Sequence, residues 1–429
     1  MKKIQPLKHG LRGKLEIPGD KSISHRAVML AGLGSTPVEI DNFLMGADCL
    51  STIECMRAMG VNIRELGDKI FVKGKGLHGL REPENVLDAG NSGTTLRLLL
   101  GLTAPQNFLA TFTGDSSLRK RPMARVIKPL TEMGAQIFGR NDNQNLPITV
   151  AKPARKFQAV TYEMPVASAQ VKSAIILAAL YADGITTIIE PAPSRDHTER
   201  MLEAFGVEIE RQGNTVVKIS PAETLTAPDK ITVPGDMSSA AFWIVLATIL
   251  PNSAVTIKNV GINKTRTGIL DVLTKMGAQI EIRNPRESGG ETSADLKITT
   301  SKLHGIEFGG GNVIPRLIDE IPAIAVAAAF ADGDTIITGV GELRVKETDR
   351  LAAIVEEFNK ISRGSFEATD DTLIIHGGRE KKFAACKTHA DHRMAMSLSI
   401  FGAAAAGVEI DDESCVDISY PNFFETIGD

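Results

Sequence analysis

The sequence contains 429 residues, of which 43% are hydrophobic and 23% charged, a composition that is typical of soluble globular proteins and long enough for two domains. The net charge of −4 excludes a general attraction to nucleic acid, so any basic site must be local. The apolar runs are too short to span a bilayer, and the four cysteines form neither a CxxC pair nor a zinc spacing, so we expect a cytoplasmic protein with reduced thiols and no membrane partner.

Two segments of the chain are alike. The first reads Ile17-Pro-Gly-Asp-Lys-Ser-Ile-Ser and the second Val233-Pro-Gly-Asp-Met-Ser-Ser-Ala. Each leads into an apolar helix, predicted over 25–33 and 240–250. The pair indicates two homologous halves.

A finer repeat runs through both halves, with a period of roughly 70 residues. Apolar helices rich in small residues are predicted to begin near Ser24, Gly93, Ala169, Ser238, Glu320 and His392. Amphipathic helices alternate with them and end where a glycine suits a left-handed C-cap, at Met59-Gly60, Met133-Gly134, Phe205-Gly206 and Met276-Gly277. Strands follow each helix, so a unit consists of a buried helix, strands, an amphipathic helix and further strands.

Three such units in each half predict two domains, residues 20–235 and residues 1–19 with 236–429. The chain is expected to cross between them near Pro18–Lys21 and Pro234–Asp236, which assigns the first strand to the C-terminal half. The polar segment 283–295 contains Gly289-Gly290 and is predicted to be a surface loop.

The buried helices begin with polar and charged residues that a buried helix should avoid. A helix N-terminus offers free N–H groups and the positive end of the dipole, and is therefore a natural anion site. Simple N-capping is the alternative, but capping does not require nearby cations. These residues are Lys21, Ser22 and Arg26; Asn91, Gly93, Thr94 and Arg97; Ser168, Gln170 and Lys172; Asp319 and Glu320; and Asp391, His392 and Arg393. Converging ends would suit a ligand with several phosphates or carboxylates.

Two further patterns are discounted. Gly74-Lys-Gly-Leu-His-Gly79 matches a dinucleotide-binding pattern, but Pro83 interrupts any helix after it. His389-Ala-Asp-His392 resembles a pair of metal ligands, but no second cluster accompanies it and Arg393 follows directly. We therefore expect neither a metal nor a cofactor.

The charged motifs, taken together, resemble the signature set of the 5-enolpyruvylshikimate-3-phosphate (EPSP) synthase family. They occur in order as Gly19-Asp-Lys-Ser, Asn91-Ser-Gly-Thr, Arg121-Pro-Met, Ser168-Ala-Gln-Val-Lys172, Lys346-Glu-Thr-Asp-Arg350 and Asp391-His-Arg-Met. Three segments resemble the class II branch of this family: Ser168-Ala-Gln-Val-Lys172, Arg195-Asp-His-Thr-Glu and Asn263-Lys-Thr-Arg266. The resemblance implies an inside-out α/β barrel with two similar domains, each of three βα repeat units, and an active site in the cleft between them.

The resemblance also implies the reaction and its residues. The enolpyruvyl group of phosphoenolpyruvate would pass to the 5-hydroxyl of shikimate 3-phosphate. The resemblance also suggests a monomer, and glyphosate as a competitor of phosphoenolpyruvate. The residues implied for shikimate 3-phosphate are Lys21, Ser22, Arg26, Ser168, Ala169, Gln170, Ser194, Arg195, Asp319 and Lys346. Those implied for phosphoenolpyruvate are Lys21, Gly93, Arg121, Gln170, Arg350 and Arg393. Asp319 and Glu347 are the acid and base candidates, with Lys21 beside them, and their individual roles stay open.

The sequence departs from the family pattern at two positions. Ile418 stands where some relatives carry lysine, and Ala169 stands where some carry a second serine. Two alternatives are weighed. An enolpyruvyl transferase acting on UDP-N-acetylglucosamine would need a cysteine in the loop before Arg121, and 114–121 contains none. A non-catalytic anion-binding repeat protein would gain nothing from Asp319 and Glu347.

Overall fold

The structure, a computed structural model, describes residues 1–428 and divides into two compact units. The first unit comprises Gly19–Val233 and Glu287–Glu291. The second unit comprises Met1–Pro18, Pro234–Arg286 and the chain from Thr292 onward.

Helices recur along the whole described chain. In order they are α1 (Lys21–Leu33), α2 (Ala47–Ala58), α3 (Gly93–Thr103), α4 (Ala124–Glu132), α5 (Arg140–Asn143), α6 (Ala169–Ala179), α7 (His197–Ala204), α8 (Met237–Ile249), α9 (Gly268–Lys275), α10 (Ile321–Ala329), α11 (Arg350–Ala353), α12 (Asn359–Ile361), α13 (His392–Ala404) and α14 (Phe423–Gly428). A π-helical turn, Ile354–Phe358, joins α11 to α12, so the two form one continuous helix.

Short strands alternate with these helices. In order they are β1 (Lys2–Ile4), β2 (Arg12–Glu16), β3 (Pro37–Asp41), β4 (Asn62–Leu66), β5 (Lys69–Lys73), β6 (Leu87–Asp88), β7 (Ala110–Thr113), β8 (Gln136–Gly139), β9 (Asn145–Ala151), β10 (Thr161–Glu163), β11 (Thr186–Ile189), β12 (Ile209–Gln212), β13 (Val216–Ile219), β14 (Lys230–Thr232), β15 (Ala254–Gly261), β16 (Gln279–Ser288), β17 (Glu291–Thr299), β18 (Glu307–Gly309), β19 (Asp334–Thr338), β20 (Phe366–Ala368), β21 (Thr372–His376), β22 (Ala384–Cys386) and β23 (Val408–Ile410).

The sheets repeat one pattern, a parallel pair of strands extended by an antiparallel partner. The first unit has the strand orders β14-β3-β5-β4, β6-β7-β9-β8 and β10-β11-β13-β12, and the second has β2-β15-β17-β16, β18-β19-β21-β20 and β1-β23-β22. In each sheet one pair is parallel, for example β3 with β14 and β15 with β2. Three sheets per unit match the repeat that the sequence predicts. Strand β1 pairs with β23 and strand β2 pairs with β15, so both belong to sheets of the second unit.

The apolar helices form the interior of each unit. In the second unit α8, α10 and α13 are buried along nearly their whole length, and α1, α3 and α6 are similarly enclosed in the first. Small residues allow this packing: a Cβ at Gly101 of α3 would lie 2.2 Å from the carbonyl oxygen of Ala174 in α6. A helix that is apolar all round must be covered on every side. Helices inside and sheets outside make each unit an inside-out α/β barrel, as expected.

The amphipathic helices end at left-handed glycines. The φ angles are 93° at Gly60, 113° at Gly134, 85° at Gly206 and 104° at Gly277. Each glycine directly follows the residue that caps α2, α4, α7 or α9. The predicted helix ends are therefore confirmed, because a residue with a Cβ rarely adopts this conformation.

The prediction of a loop over 283–295 is wrong. The segment belongs to strands β16 and β17, which meet at a tight turn where Gly289 and Gly290 have φ of 57° and 83°. The buried Asp295 explains the error, since it accepts hydrogen bonds from Asn259 N at 3.1 Å and Arg286 Nη2 at 2.8 Å. Polarity alone does not reveal such partners. The turn Glu287–Glu291 also packs with the first unit, although the expected division placed it in the second.

None of the helices within residues 1–428 is both long and apolar enough to cross a membrane.

Candidate active site

The interior helices of the first unit start with side-chain caps. Asp20 accepts a hydrogen bond from Ile23 N at 2.9 Å, Ser92 from Thr95 N at 3.1 Å and Ser168 from Val171 N at 3.4 Å. Capping therefore accounts for these three polar residues. The cations in the same turns need a separate explanation.

A buried hydroxyl chain connects α1 with α3. His25 Nδ1 lies 2.6 Å from Thr52 Oγ1, which lies 2.7 Å from Thr95 Oγ1. Burial, followed by the charges of Lys21 and Arg26, holds the pKa of His25 well below its usual range. The imidazole is therefore neutral, and its role is structural: it connects α1 to Thr52 by a hydrogen bond.

Lys21 lies at the start of α1, where its Nζ donates to Asp48 Oδ2 at 3.2 Å. Both side chains are largely buried, at 18% and 11% exposed. Sequence reasoning missed Asp48, because it lies in the first turn of α2 and resembles an ordinary helix-start acid. The contact holds a proposed catalytic lysine in place, since a partly buried ion pair restricts the flexible lysine chain.

Three of the four residues implied for phosphoenolpyruvate in the first unit lie together around the start of α3. Arg121 donates from Nη2 to Asn91 Oδ1 at 2.7 Å, and Gln170 donates to Thr94 Oγ1 at 3.0 Å. A Cβ built on Gly93 would lie 3.5 Å from Arg121 Nη1. Thus Gly93, Arg121 and Gln170 share one neighbourhood.

Arg97 joins this neighbourhood. Its Nη1 donates to Gln170 Oε1 at 2.6 Å and would lie 2.7 Å from a Cβ on Gly93. The sequence placed Arg97 among the helix-start cations but not among the binding residues. Its spacing of four residues from Gly93 places both on the same face of α3, and this is the sequence feature that relates the two.

Arg26 is buried and its guanidinium is largely engaged. Nε donates to Thr198 Oγ1 at 2.7 Å, Nη2 to Ser173 Oγ at 2.7 Å and Nη1 to the Ser22 carbonyl at 2.9 Å. Burial lowers the pKa of Arg26 to about 10, although the charge of Glu199 opposes the shift. The Ser22 carbonyl and the Arg26 guanidinium are therefore in direct contact.

Two residues from the sequence analysis are held by a buried carboxylate in the first unit. Ser194 is buried and its hydroxyl donates to Glu190 Oε1. Lys172, counted among the helix-start cations, has a side chain only 2% exposed and pairs with Glu190 at 2.8 Å. Its charge is neutralised inside the unit, because a buried cation requires a nearby carboxylate. Ala169 at the start of α6 and Arg195, two residues before α7, are by contrast partly exposed.

In the second unit, Arg350 lies fully buried among three carboxylates. Nη2 donates to Glu347 Oε2 at 2.6 Å, Nη1 to Asp319 Oδ1 at 3.3 Å and Nε to Asp391 Oδ2 at 2.8 Å. Burial alone would lower the pKa of Arg350, but the charges of Glu347, Asp391 and Asp319 raise it above its ordinary value. Both acid and base candidates thus contact one arginine.

Arg393 approaches the same carboxylates. Its Nη1 donates to the Asp319 carbonyl at 3.3 Å, and Nη2 lies 3.9 Å from Asp319 Oδ2. Asp391 caps α13 by accepting from Arg393 N at 2.9 Å while also holding Arg350. Lys346 lies partly exposed next to Glu347. The sequence named Asp391 only as a motif residue, and its double role follows from the tertiary fold.

A buried network supports this site from α8. Arg266 donates to Asp236 Oδ1 at 2.9 Å and to Ser238 Oγ at 2.8 Å, and the Ser238 hydroxyl donates to Glu320. Sequence reasoning recognised Arg266 only as a branch-specific residue. The network fixes the start of α10, directly after Asp319, because each buried charge has a polar partner.

One cluster has metal-ligand composition. Oxygen atoms of Glu356 and Glu357 and a ring nitrogen of His389 lie within 4.8 Å of one another. Lys360 Nζ already donates to both oxygens of Glu357 at 2.7 Å. The ammonium therefore neutralises the charge of Glu357 within this group.

Known proteins resemble this chain over its whole length. Residues 7–427 match the family described as EPSP synthase (3-phosphoshikimate 1-carboxyvinyltransferase). A 3-phosphoshikimate 1-carboxyvinyltransferase of Bacillus anthracis strain A0248 is 52% identical over 425 residues, covering 99% of this chain and 98% of the relative. A protein of the same name from Desulforamulus reducens is 52% identical over 426 residues, with the same coverage.

Solved structures also resemble this chain over nearly its whole length. An EPSP synthase from Acinetobacter baumannii has a TM-score of 0.90 and 39% identity, covering 99% of this chain and 97% of that one. The enolpyruvyl transferase NikO from Streptomyces tendae, at 18% identity and a TM-score of 0.77, shares the fold over 99% of this chain and 96% of its own. The helix starts, the buried Arg350 and the three sheets of each unit agree with these comparisons. Because the family match spans residues 7–427 and the relatives are 52% identical, the chain belongs to the EPSP synthase family.

Proposed function

We propose that this protein transfers the enolpyruvyl group of phosphoenolpyruvate to the 5-hydroxyl of shikimate 3-phosphate, giving 5-enolpyruvylshikimate 3-phosphate and phosphate. The reaction would be a step in the biosynthesis of chorismate and the aromatic amino acids. The observation that carries the proposal is Arg350, which holds both Asp319 and Glu347 by direct hydrogen bonds. Relatives that are 52% identical and bear the corresponding enzyme name support it.

The residues proposed for shikimate 3-phosphate are assigned by the group of the substrate that each would bind. In the first unit, Ser22 and Arg26 would bind its carboxylate, Ser168, Ala169 and Arg195 its phosphate, and Gln170 would lie under its ring. In the second unit, Lys346 would bind the phosphate and Asp319 the ring hydroxyls. Ser194 would contribute its backbone N–H rather than its hydroxyl, because that hydroxyl is engaged by Glu190. Arginine forks suit both anionic groups of this substrate.

Phosphoenolpyruvate would be bound by the cations that surround Gly93 and Arg350. Arg121 and the Gly93 backbone belong to the first group, and Lys21, which is paired with Asp48 at the start of α1, would join them. Arg350 and Arg393 belong to the second. Arg350 Nη2 already donates to Glu347, so an incoming carboxylate would replace Glu347 as the acceptor. The displaced Glu347 would then be available for proton transfer.

The chemistry needs one base and one acid. The 5-hydroxyl oxygen forms a bond to C2 of phosphoenolpyruvate while its proton leaves to a base, and C3 accepts a proton from an acid. In the second step, a methyl proton leaves from C3 as the bond from C2 to the phosphate oxygen breaks, and the double bond re-forms. Asp319, Glu347 and Lys21 would exchange these protons, since carboxylates and a held lysine can act within hydrogen-bond reach.

The developing charge would be stabilised by fixed cations. Arginines and lysines occupy the positions where other phosphate enzymes place magnesium, so we propose catalysis without a metal or another cofactor. We further propose a cytoplasmic monomer with small-molecule substrates as its binding partners.

Transfer to a UDP-sugar is the competing function. It would require a nucleophilic or acidic cysteine near Arg121, but the four cysteines of the described chain are all buried, at positions 49, 55, 386 and 415. Burial raises the pKa of Cys55 to about 12, which suppresses its thiolate. No cysteine lies in 114–121.

The test is phosphate release measured with both substrates, with either substrate alone as the blank. Activity only with the pair, and with mass spectrometry showing the enolpyruvyl ether, would support the proposal. Glu347→Gln should be nearly inactive, whereas Glu367→Gln, a change of an exposed glutamate in β20, should behave like the wild type. Release with UDP-N-acetylglucosamine in place of shikimate 3-phosphate would contradict the proposal.

A further inference from the structure

Lys172 lies in the first turn of α6 and bonds to the segment that precedes α7. Its Nζ donates to Glu190 Oε2 at 2.8 Å and to the Ser194 carbonyl oxygen at 3.4 Å. It also forms an ion pair with Glu199 Oε1 at 2.8 Å. The side chains of Glu190 and Glu199 are each 1% exposed. One lysine therefore joins a helix start, the residue after β11 and the first turn of α7.

The electrostatics of this cluster depend on the lysine. Glu190 and Glu199 share this lysine, because its Nζ lies 2.8 Å from an oxygen of each carboxylate. Arg26 is a second cation near Glu199, since the negative charge of Glu199 acts to raise the pKa of Arg26. Without the ammonium of Lys172, two buried carboxylates would face one remaining cation. Such uncompensated charge is costly, and the segment carrying it would move to reach water.

The geometry restrains Ser194 at two points. Its hydroxyl donates to Glu190 and its carbonyl accepts from Lys172. Arg195 follows directly, so the backbone that carries its guanidinium is held next to α6. The start of α6 carries Ser168, and Arg26 binds Ser173 and Thr198 on either side of the cluster. The cluster thus sets the position of Arg195 relative to Ser168.

We propose that Lys172, together with Glu190, is a positioning residue for the phosphate of the substrate. It holds Arg195 at a constant place beside Ser168 without contacting substrate itself. The inference rests on the proposed function, which assigns Arg195 and Ser168 to the phosphate of shikimate 3-phosphate. It also explains why Lys172, although it lies at a helix start, is paired with buried carboxylates instead of a ligand.

The experiment compares Lys172→Met and Glu190→Gln with the wild type. Glu203→Gln is the matched control, because Glu203 lies on α7 in an exposed pair with Arg211 at 2.9 Å. Steady-state kinetics should give a KM for shikimate 3-phosphate raised about tenfold or more in both test variants, since small misplacements of a binding group are costly. The KM for phosphoenolpyruvate should change less than about twofold. The control should match the wild type.

Hydrogen exchange supplies a readout that needs no substrate. In Lys172→Met, the backbone amides of residues 191–196 should exchange faster than in the wild type, while those of α3 should not change. Glu190→Gln preserves side-chain volume, so it carries the test should Lys172→Met fail to fold.

Equal rises in both KM values, or a loss of stability with unchanged KM for shikimate 3-phosphate, would overturn the inference. Unchanged exchange at 191–196 would overturn it as well. The proposed function fails separately, when the wild type itself releases no phosphate from the two substrates. The exchange comparison would then decide by itself whether Lys172 positions this segment.

Discussion

Substituting Gly93 with alanine provides a sharp test of the site. A new Cβ would lie 2.7 Å from Arg97 Nη1 and 3.5 Å from Arg121 Nη1. The second distance is an ordinary contact, but the first requires Arg97 to retreat by several tenths of an ångström. That retreat weakens the 2.6 Å hydrogen bond from Arg97 to Gln170 Oε1. Every atom that moves belongs to the neighbourhood proposed to bind phosphoenolpyruvate.

The effect on folding should be small. Alanine in a helix gains about 0.5–1 kcal/mol over glycine, and weakening one partly exposed charged hydrogen bond loses a similar amount. The free energy of unfolding should therefore stay within about 1 kcal/mol of the wild type. Binding differs, because the methyl occupies space against the ligand. We expect the affinity for phosphoenolpyruvate to fall about tenfold or more, which corresponds to about 1.4 kcal/mol.

The assay is equilibrium binding and steady-state kinetics for each substrate, with urea denaturation measured in parallel. The affinity for shikimate 3-phosphate should change much less than that for phosphoenolpyruvate, and inhibition by glyphosate should weaken further still. Gly101→Ala in the same helix is the contrasting variant. Its Cβ would lie 2.2 Å from the Ala174 carbonyl oxygen, so it should lose about 1–3 kcal/mol of stability through overpacking.

Two results would refute this reasoning. Equal losses of affinity for both substrates would mean that Gly93→Ala disturbs the fold rather than the phosphoenolpyruvate contact. Destabilisation as large as that of Gly101→Ala would mean that Arg97 cannot move aside at low cost.

Further predictions concern catalysis, metals and pH. Asp319→Asn or Glu347→Gln should each lower turnover about 100-fold or more with the fold retained by circular dichroism, and near-normal turnover in both would remove them from the proton-transfer steps. Chelation with EDTA should leave phosphate release unchanged, and a loss that a divalent ion restores would contradict catalysis without metal. Although burial opposes the shift, hydrogen bonds from Lys360 and the Lys387 N–H lower the pKa of Glu357, so its stabilising effect is present at neutral pH and lost in acid. The difference in unfolding free energy between the wild type and Glu357→Gln should shrink as the pH falls below about 4, and a constant difference would refute the linkage.

Local sequence patterns were reliable where the physics is local. The left-handed glycines after α2, α4, α7 and α9 were predictable because only a residue without a Cβ adopts that conformation readily. The interior helices were predictable because runs of small apolar residues must be covered on all sides. The motif set was specific enough to indicate the family, whose fold the repeated sheets then confirmed.

Buried polar partners were not predictable in the same way. The segment 283–295 resembles a loop by polarity, yet Asp295 is buried because neighbouring strands supply its donors. Lys172 resembles a ligand-binding cation by its position at a helix start, yet Glu190 and Glu199 neutralise it. In both cases the deciding partner lies outside the local pattern.

The sequence by itself determined the number of repeats, the places where helices begin and end, and the residue types at the proposed site. Tertiary structure alone decided which charges are paired with one another. Asp48 reaches Lys21 across 27 positions, and Asp391 reaches Arg350 across 41. Helix propensity and capping act between residues a few positions apart, whereas an ion pair depends on which distant segments pack together. The pairing of cations with distant carboxylates therefore emerges only when the helices assemble.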